Sequence, residues 1–446
     1  MVERRGGPGP LRPTASMMVT RVRPAVVHTV RATVLFAGAE LLPAVQALRD
    51  RLPRVTEVIV VGGPDDAYEA FLGAARPAGG AADRTVEDLW LVMYSSGTTG
   101  RPKGVMLSHR NLVAHTRNSA PLAPMEPGDR NLVAMPLFHV GGTSYALFGI
   151  CAGMPSTFTR EPDPASLLAA FAAGATHAFL VPAVVAGLLA GGERAIAALN
   201  GLKYLLYGAA PMPLPVLRRA LAAWPRLNFI QVYGQTELAG VISALSAQAH
   251  RDPAREDRLA SAGTLLAGAE LRVVDPATGR DVAAGQPGEF WFRSAQRMTG
   301  YLNRPEDTVQ AITAEGWLRS GDIGHVDDGG FLFVSDRVKD MIITGGENVY
   351  GPEVENVLNA CPGVSEGVII GIPDDRWGES VKAVVVPDPG AELSAHDIIA
   401  FCRARLAHYQ APASVDFVEV LPRSATGKVL KRALREPYWA SRERAI

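Results

Sequence analysis

Between Tyr94 and Gly104 the chain reads Tyr-Ser-Ser-Gly-Thr-Thr-Gly-Arg-Pro-Lys-Gly. Small residues, hydroxyls and one lysine in this order suit a phosphate. Backbone N–H groups near Gly97 and Gly100 can converge on its oxygens, Ser95, Ser96, Thr98 and Thr99 add hydroxyl donors, and Lys103 adds charge. The common mononucleotide pattern sets lysine between glycine and Ser/Thr. Here Lys103 follows Pro102 and precedes Gly104, which excludes an ordinary P-loop NTPase. A flexible surface turn has the same composition, so the tract alone leaves both readings open.

A phosphate loop needs a rigid element to present it. Leu91-Val-Met-Tyr94 reads as a strand running into the loop, and Thr56–Gly63 as a buried strand entering a glycine turn. Leu202–Gly208 and Asn228–Gly234 are further strands ending in glycine, with helical spacing over Leu214–Trp224 between them. Thr176-His-Ala-Phe-Leu-Val-Pro182 reads as a buried strand leading into a helix with Pro182 in its first turn. This alternation predicts an α/β sheet with crossover helices and ligands beyond the carboxyl ends of the strands. From about Gly263 the segments shorten and alternate apolar with polar residues, which predicts an antiparallel or barrel-like subdomain. After Asp336-Arg-Val-Lys339 a compact α+β unit follows, with helices near Pro352–Ala360 and Ser394–Leu406 and strands at Val368–Ile372 and Val381–Val386. The expected organisation is a disordered extension over residues 1–25, a large domain over 26–336 and a smaller mobile domain over 340–446.

Composition narrows the partners. The 446 residues carry 44 Lys+Arg and 45 Asp+Glu, a net charge of -1, so no global field draws the chain to nucleic acid or anionic membrane. With 48% hydrophobic and 20% charged residues, disorder of the whole chain is excluded. Cys151, Cys361 and Cys402 are too scattered for a disulfide scaffold or zinc ribbon, and fit a reducing cytoplasm. The basic start has no apolar stretch behind it, so it is not read as a secretory leader. Ala169–Ala190 is the most membrane-like segment. Gly174, His177, Pro182 and its many alanines make it a buried strand and helix instead, which leaves peripheral membrane contact open and gives no transmembrane segment. Nothing in the sequence reads out the oligomeric state.

The segments also follow one another in a telling order. After Tyr94–Gly104 come Met135-Pro-Leu-Phe-His-Val-Gly-Gly142, Tyr207-Gly-Ala-Ala-Pro-Met212, Tyr233-Gly-Gln-Thr-Glu237, Ser320-Gly-Asp322, Asp336–Lys339 and Ala425-Thr-Gly-Lys428. From about Val30 onward the chain resembles the adenylate-forming superfamily, which includes acyl-CoA synthetases, firefly luciferase and the adenylation domains of peptide synthetases. The resemblance implies two steps: a carboxylate attacks the α-phosphate of ATP to give acyl-AMP and pyrophosphate, and a thiol then displaces AMP. It implies a nucleotide site made of Ser95, Ser96, Gly97, Thr98, Thr99, Gly100, Lys103, Gly208, Ala209, Ala210, Tyr233, Gly234, Gln235, Asp322 and Arg337. Glu237, with Thr98, would hold Mg²⁺, Thr236 would donate to the α-phosphate, and Asp322 would accept from the ribose hydroxyls. Lys428 would neutralise carboxylate and α-phosphate during adenylation. Lys339 would be the hinge that brings Gly345, Gly346 and Glu347 to the thiol of coenzyme A. His139, Gly141 and Gly240 would wall the acid pocket, with His139 as gate or wall.

Small residues at Gly141, Gly142, Gly208–Ala210 and Gly240 suggest a roomy apolar pocket, and Met135–Gly142 offers no acidic anchor for an ammonium group. A fatty or aryl acid is therefore expected, with CoA as acceptor. Loading of a carrier protein is the second reading, and a non-catalytic nucleotide-binding remnant the third. The third arises because the family usually has further structure before the matched region, so the large domain reads as shortened at its start. Tyr409-Gln-Ala-Pro-Ala413 is neutral where relatives often carry lysines, which predicts weaker contact with the CoA phosphates there.

Overall fold

The computed structural model describes residues 31–64, 66–75, 83–95, 102–160, 162–338, 340–423 and 429–440. They group into two units, one running to Val113 and including Met298–Gln310, the other Ala114–Arg297 with Ala311 onward.

The centre of the second unit is a seven-stranded sheet in the order Thr264–Leu265, Gly240–Leu245, Asn228–Gln235, Tyr204–Gly208, His177–Leu180, Asn131–Val133, Ser156–Phe158. The last five pair parallel, and Gly240–Leu245 runs antiparallel to both its neighbours. Successive residues feed two different cores, as the pleat requires. Leu132, Ala178, Leu205 and Phe229 join the core that contains Leu167, Val185 and Leu217 of helices Pro164–Ala172, Pro182–Ala190 and Leu214–Ala223. Val133, Phe179, Leu206 and Ile230 join the other, with Tyr145 and Phe148 of helix Val140–Cys151. Burial on both faces is why Ala178–Leu180 and Tyr204–Tyr207 read as continuous apolar runs. Pro182 starts its helix as predicted, since a first-turn residue needs no N–H partner. Beside the sheet the buried Tyr207 hydroxyl meets His250 Nε2 at 2.7 Å, while His250 Nδ1 lies 2.8 Å from the Ser246 carbonyl. Burial pushes the His250 imidazole down to about 4.

Strands Ala269–Val274, Gly288–Ser294, Leu318–Val326 and Leu332–Arg337 form an antiparallel sheet. Its outer strands do not pair with each other among the described residues, so of the two expected forms the sheet is the open antiparallel one and not a closed barrel. The C-terminal sheet pairs Val364–Asp374 with Gly378–Pro387 along their length and carries helices Gly351–Leu358 and Ala395–Arg403, whose Val354, Leu358, Ile398 and Cys402 fill its core. Ser394 and Asp397 start the second helix with a reciprocal capping box. Near the expected hinge, buried Asp336 accepts the Gly351 N–H at 2.7 Å; Lys431 pairs with Glu355 at 2.7 Å, and Arg435 with Asp340 at 2.9 Å. Burial raises the Asp336 carboxyl, with Lys431 opposing it.

In the first unit Val34–Gly38 pairs parallel with Glu57–Val61, and Leu89–Ser95 antiparallel with Lys103–Ser108. No described helix is long and apolar enough to cross a membrane.

Candidate active site

The parallel strands end where the sequence places its chemistry. Gly208 closes one strand against the next: a Cβ there would stand 2.3 Å from the Val232 carbonyl oxygen, so no larger residue fits. Ala209 follows with φ 65, a left-handed conformation uncommon outside glycine. Asn228–Gln235 gives way to a single helical turn, Thr236–Leu238, which stops at left-handed Ala239. Gly240 then returns antiparallel, opposite Gln235. Thr236 and Glu237 are thereby held on a tight corner at the carboxyl end of the strand.

Asp322 is the most firmly placed of the candidates. It is 5% exposed, takes the Tyr233 hydroxyl at 2.6 Å on one oxygen and faces Arg337 Nε at 3.2 Å with the other. Arg337 is its direct partner across the sheet. The turn before it needs Gly321 at φ 72, and the Gly321 N–H donates to Glu289 at 2.9 Å. The other Glu289 oxygen accepts from the Trp291 indole at 2.7 Å. Glu289 thus pins the turn that carries Asp322. The sequence reading missed it, although a buried acid two positions before a tryptophan, hence on the same strand face, was the available sign. The Asp322 carboxylate raises the Arg337 pKa most, with Asp340, Tyr233 and Glu237 adding to it, so these groups share one field.

An apolar cavity adjoins them, with Tyr233, Gly234 and Ala209 in its wall. His139, Gly141 and Gly240 line it too. His139 caps helix Val140–Cys151, its Nδ1 accepting the Gly141 N–H at 3.1 Å, which favours the tautomer protonated on Nε2. Gly141 leaves room for Phe179, which a Cβ would meet at 2.9 Å. The sequence did not single out His115 or Tyr145. Both are buried on the cavity wall, and neither ring nitrogen of His115 nor the Tyr145 hydroxyl has a hydrogen-bond partner among the described residues. Burial pushes the His115 imidazole down to about 4 and the Tyr145 phenol up.

Lys103 is buried in its strand, its ammonium 2.6 Å from Asp307 and 5.0 Å from the Tyr301 ring centre. A phosphate would compete there with Asp307. Ser95 ends the strand before the glycine loop. Gly345 and Gly346 have φ 60 and 88 and join strands Ile342–Thr344 and Glu347–Val349, a two-residue hairpin that demands glycine-like backbone whatever passes beside it. Glu347 is exposed. Ser96, Gly97, Thr98, Thr99, Gly100, Lys339 and Lys428 lie outside the described residues. No group of three or more His, Cys, Asp or Glu suited to a metal occurs among the described residues.

The chain matches known proteins along most of its length. Residues 16–302 match the model for AMP-binding enzymes and residues 353–428 that for the AMP-binding enzyme C-terminal domain. The chain is 39% identical over 355 residues to a feruloyl-CoA synthase of Amycolatopsis sp, covering 79% of this chain and 70% of that one. It is 35% identical over 369 residues to the fatty acid–[acyl-carrier-protein] ligase ScoC of Streptomyces coeruleorubidus, covering 79% and 68%. The crystal structure of ATP-bound MatB from Rhodopseudomonas palustris superimposes with a TM-score of 0.84 at 29% identity, over 93% of this chain and 81% of that one. With a match of this extent to the family's own model, the chain belongs to the AMP-binding enzymes.

Proposed function

We propose that this chain is an ATP-dependent acid–CoA ligase, which activates a fatty or aryl acid as acyl-AMP, releases pyrophosphate and passes the acyl group to coenzyme A. The observation that carries the reading is the meeting of Tyr233, Asp322, Arg337 and Glu237 beside an apolar cavity at the carboxyl end of the sheet. Asp322, already oriented by Tyr233 and Arg337, accepts from the ribose hydroxyls. Ala209 and Gly208 leave space for the base, and Thr236 donates to the α-phosphate. In the cavity the acid lies with its carboxylate toward Thr236. Holding both reactants in place supplies proximity, and donors fixed beforehand meet the charge that gathers on the phosphate oxygens. Magnesium suits a site with one carboxylate, because it keeps waters and phosphate oxygens as its other ligands; Glu237 would hold it, with Thr98, and it would neutralise phosphate charge. Residues 26–336 and 340–446 act as the two catalytic parts, with Lys339 between them, Lys428 serving adenylation and Gly345–Glu347 facing the thiol.

Pyrophosphate release that requires both ATP and a carboxylic acid tests the reading, and acyl-CoA formed with free CoA separates it from carrier loading, which the match to ScoC favours. A folded protein that binds ATP but releases no pyrophosphate with a broad acid panel overturns it. Lys428→Ala is expected to lower adenylate formation about a hundredfold, the usual loss on removing one charge-stabilising donor. Thioester formation from supplied acyl-AMP stays near normal. Equal loss in both half-reactions rejects the role given to Lys428.

A further inference from the structure

The acid cavity contains polar groups that its own walls leave unanswered. Of the buried side-chain atoms lacking a partner among the described residues, only those of His115 and Tyr145 line it. Buried polar groups are almost always paired, so two orphans on one apolar wall call for a reason. Both are compactly framed. The Tyr145 ring stacks on Phe148 (centroids 6.1 Å apart, 22° between planes) and stands edge-on to Phe179 at 5.8 Å. Next to His115, Gly240 has φ 131, and a Cβ there would lie 2.6 Å from His115 Nε2 and 3.1 Å from Ser144 Oγ. A side chain at this position would collide with the imidazole, so glycine is what lets His115 pack here on the cavity wall.

The chemistry of the pair narrows the ligand. Burial keeps His115 neutral and Tyr145 a phenol, so each can donate and accept, and neither can balance a second carboxylate. An alkyl chain would leave both unpaired. Flat aromatic walls with two neutral hydrogen-bonding tips fit a ring that bears a hydroxyl. We infer that the cavity selects aryl carboxylic acids whose ring carries a phenolic hydroxyl, read by His115 and Tyr145. The inference rests on the ligase reading for its place in a reaction, but the recognition itself can be measured by binding alone.

The test compares 3-phenylpropenoic acid, its 4-hydroxy form, octanoic acid and a ring dicarboxylic acid, by pyrophosphate release and by calorimetric binding to the full chain. The 4-hydroxy acid is expected to exceed the bare ring acid roughly a hundredfold in kcat/KM and in affinity, because a pocket built to bond a hydroxyl rejects the analogue without it. In Tyr145→Phe, and separately in His115→Phe, that ratio falls about tenfold. Phenylalanine at 145 removes only an unpaired oxygen, so this variant folds. Best turnover with octanoic acid or the dicarboxylic acid overturns the inference and leaves the ligase reading standing. Absent turnover with a preserved hydroxyl preference in binding upholds the inference and overturns the ligase reading. Equal or absent binding of the two ring acids, or an unchanged ratio in Tyr145→Phe, overturns the inference.

Discussion

Asp322→Ala is expected to lower kcat/KM for ATP about a thousandfold while the fold persists. The carboxylate offers two oxygens to two ribose hydroxyls, and a hydrogen bond to a charged group contributes about 1.5–3 kcal/mol, so losing two of them costs about 3–6 kcal/mol. Its present partners, Tyr233 and Arg337, hold the side chain in one orientation before nucleotide arrives, so little ordering is left to be done on binding. Asp322→Asn keeps one acceptor and falls between wild type and alanine. Glu289→Gln leaves Asp322 itself intact but can accept from only one of Gly321 and Trp291, which loosens the support of the Gly321 turn, so its effect appears mainly in KM and stays under tenfold. Steady-state kinetics with varied ATP, beside a thermal melt of each variant, decides the matter. A folded Asp322→Ala protein with normal ATP dependence removes Asp322 from the ribose.

Acidification from pH 7 to pH 5 is expected to destabilise the protein by about 4 kcal/mol through two histidines alone. His115 and His250 are held neutral by burial, each at about 4 against an ordinary 6.5. In the unfolded chain both take up protons as the pH drops through 6.5, and in the fold they do not. Their contribution is therefore full above about pH 6.5 and is lost as the pH falls toward 4, roughly 2 kcal/mol for each across the two units of pH. His177, also lowered chiefly by burial, acts in the same direction. Urea midpoints at pH 7 and pH 5 measure the loss. His115→Phe should remove about half of the difference, and a midpoint that does not move between the two pH values would falsify the assignment.

The frame of this fold was legible where strands such as His177–Leu180 and Tyr204–Gly208 are buried on both sides. Tyr204–Gly208 is an apolar run closed by Gly208, and Pro182 marks the start of the helix after His177–Leu180. Corner residues such as Thr236 and Glu237 follow from that frame. What escaped is of another kind. Glu289, His115 and Tyr145 are single polar residues inside apolar elements, and their meaning lies in neighbours far along the chain: Gly321 for Glu289, and Gly240 for His115. The paired glycines 345 and 346 show the converse. A tight hairpin explains them fully, so their presence alone carries no information about the thiol. Strand closure was also beyond local pattern, since alternation fixes which face is buried but does not tell an open sheet from a barrel.

The ionic cluster at Asp336 has a dynamic consequence. Asp336 lies one residue before the end of strand Leu332–Arg337, while Gly351, Glu355 and Lys431 belong to the segment beyond residue 339. Lys431 is the main influence holding the buried Asp336 carboxyl down against its surroundings. Any swing of the later segment about residue 339 that withdraws Lys431 therefore separates opposite charges, and Asp336 must then either meet water or bind a proton. On the proposed hinge at residue 339, a swing of the C-terminal part would be proton-linked, and its rate is expected to carry a pH dependence.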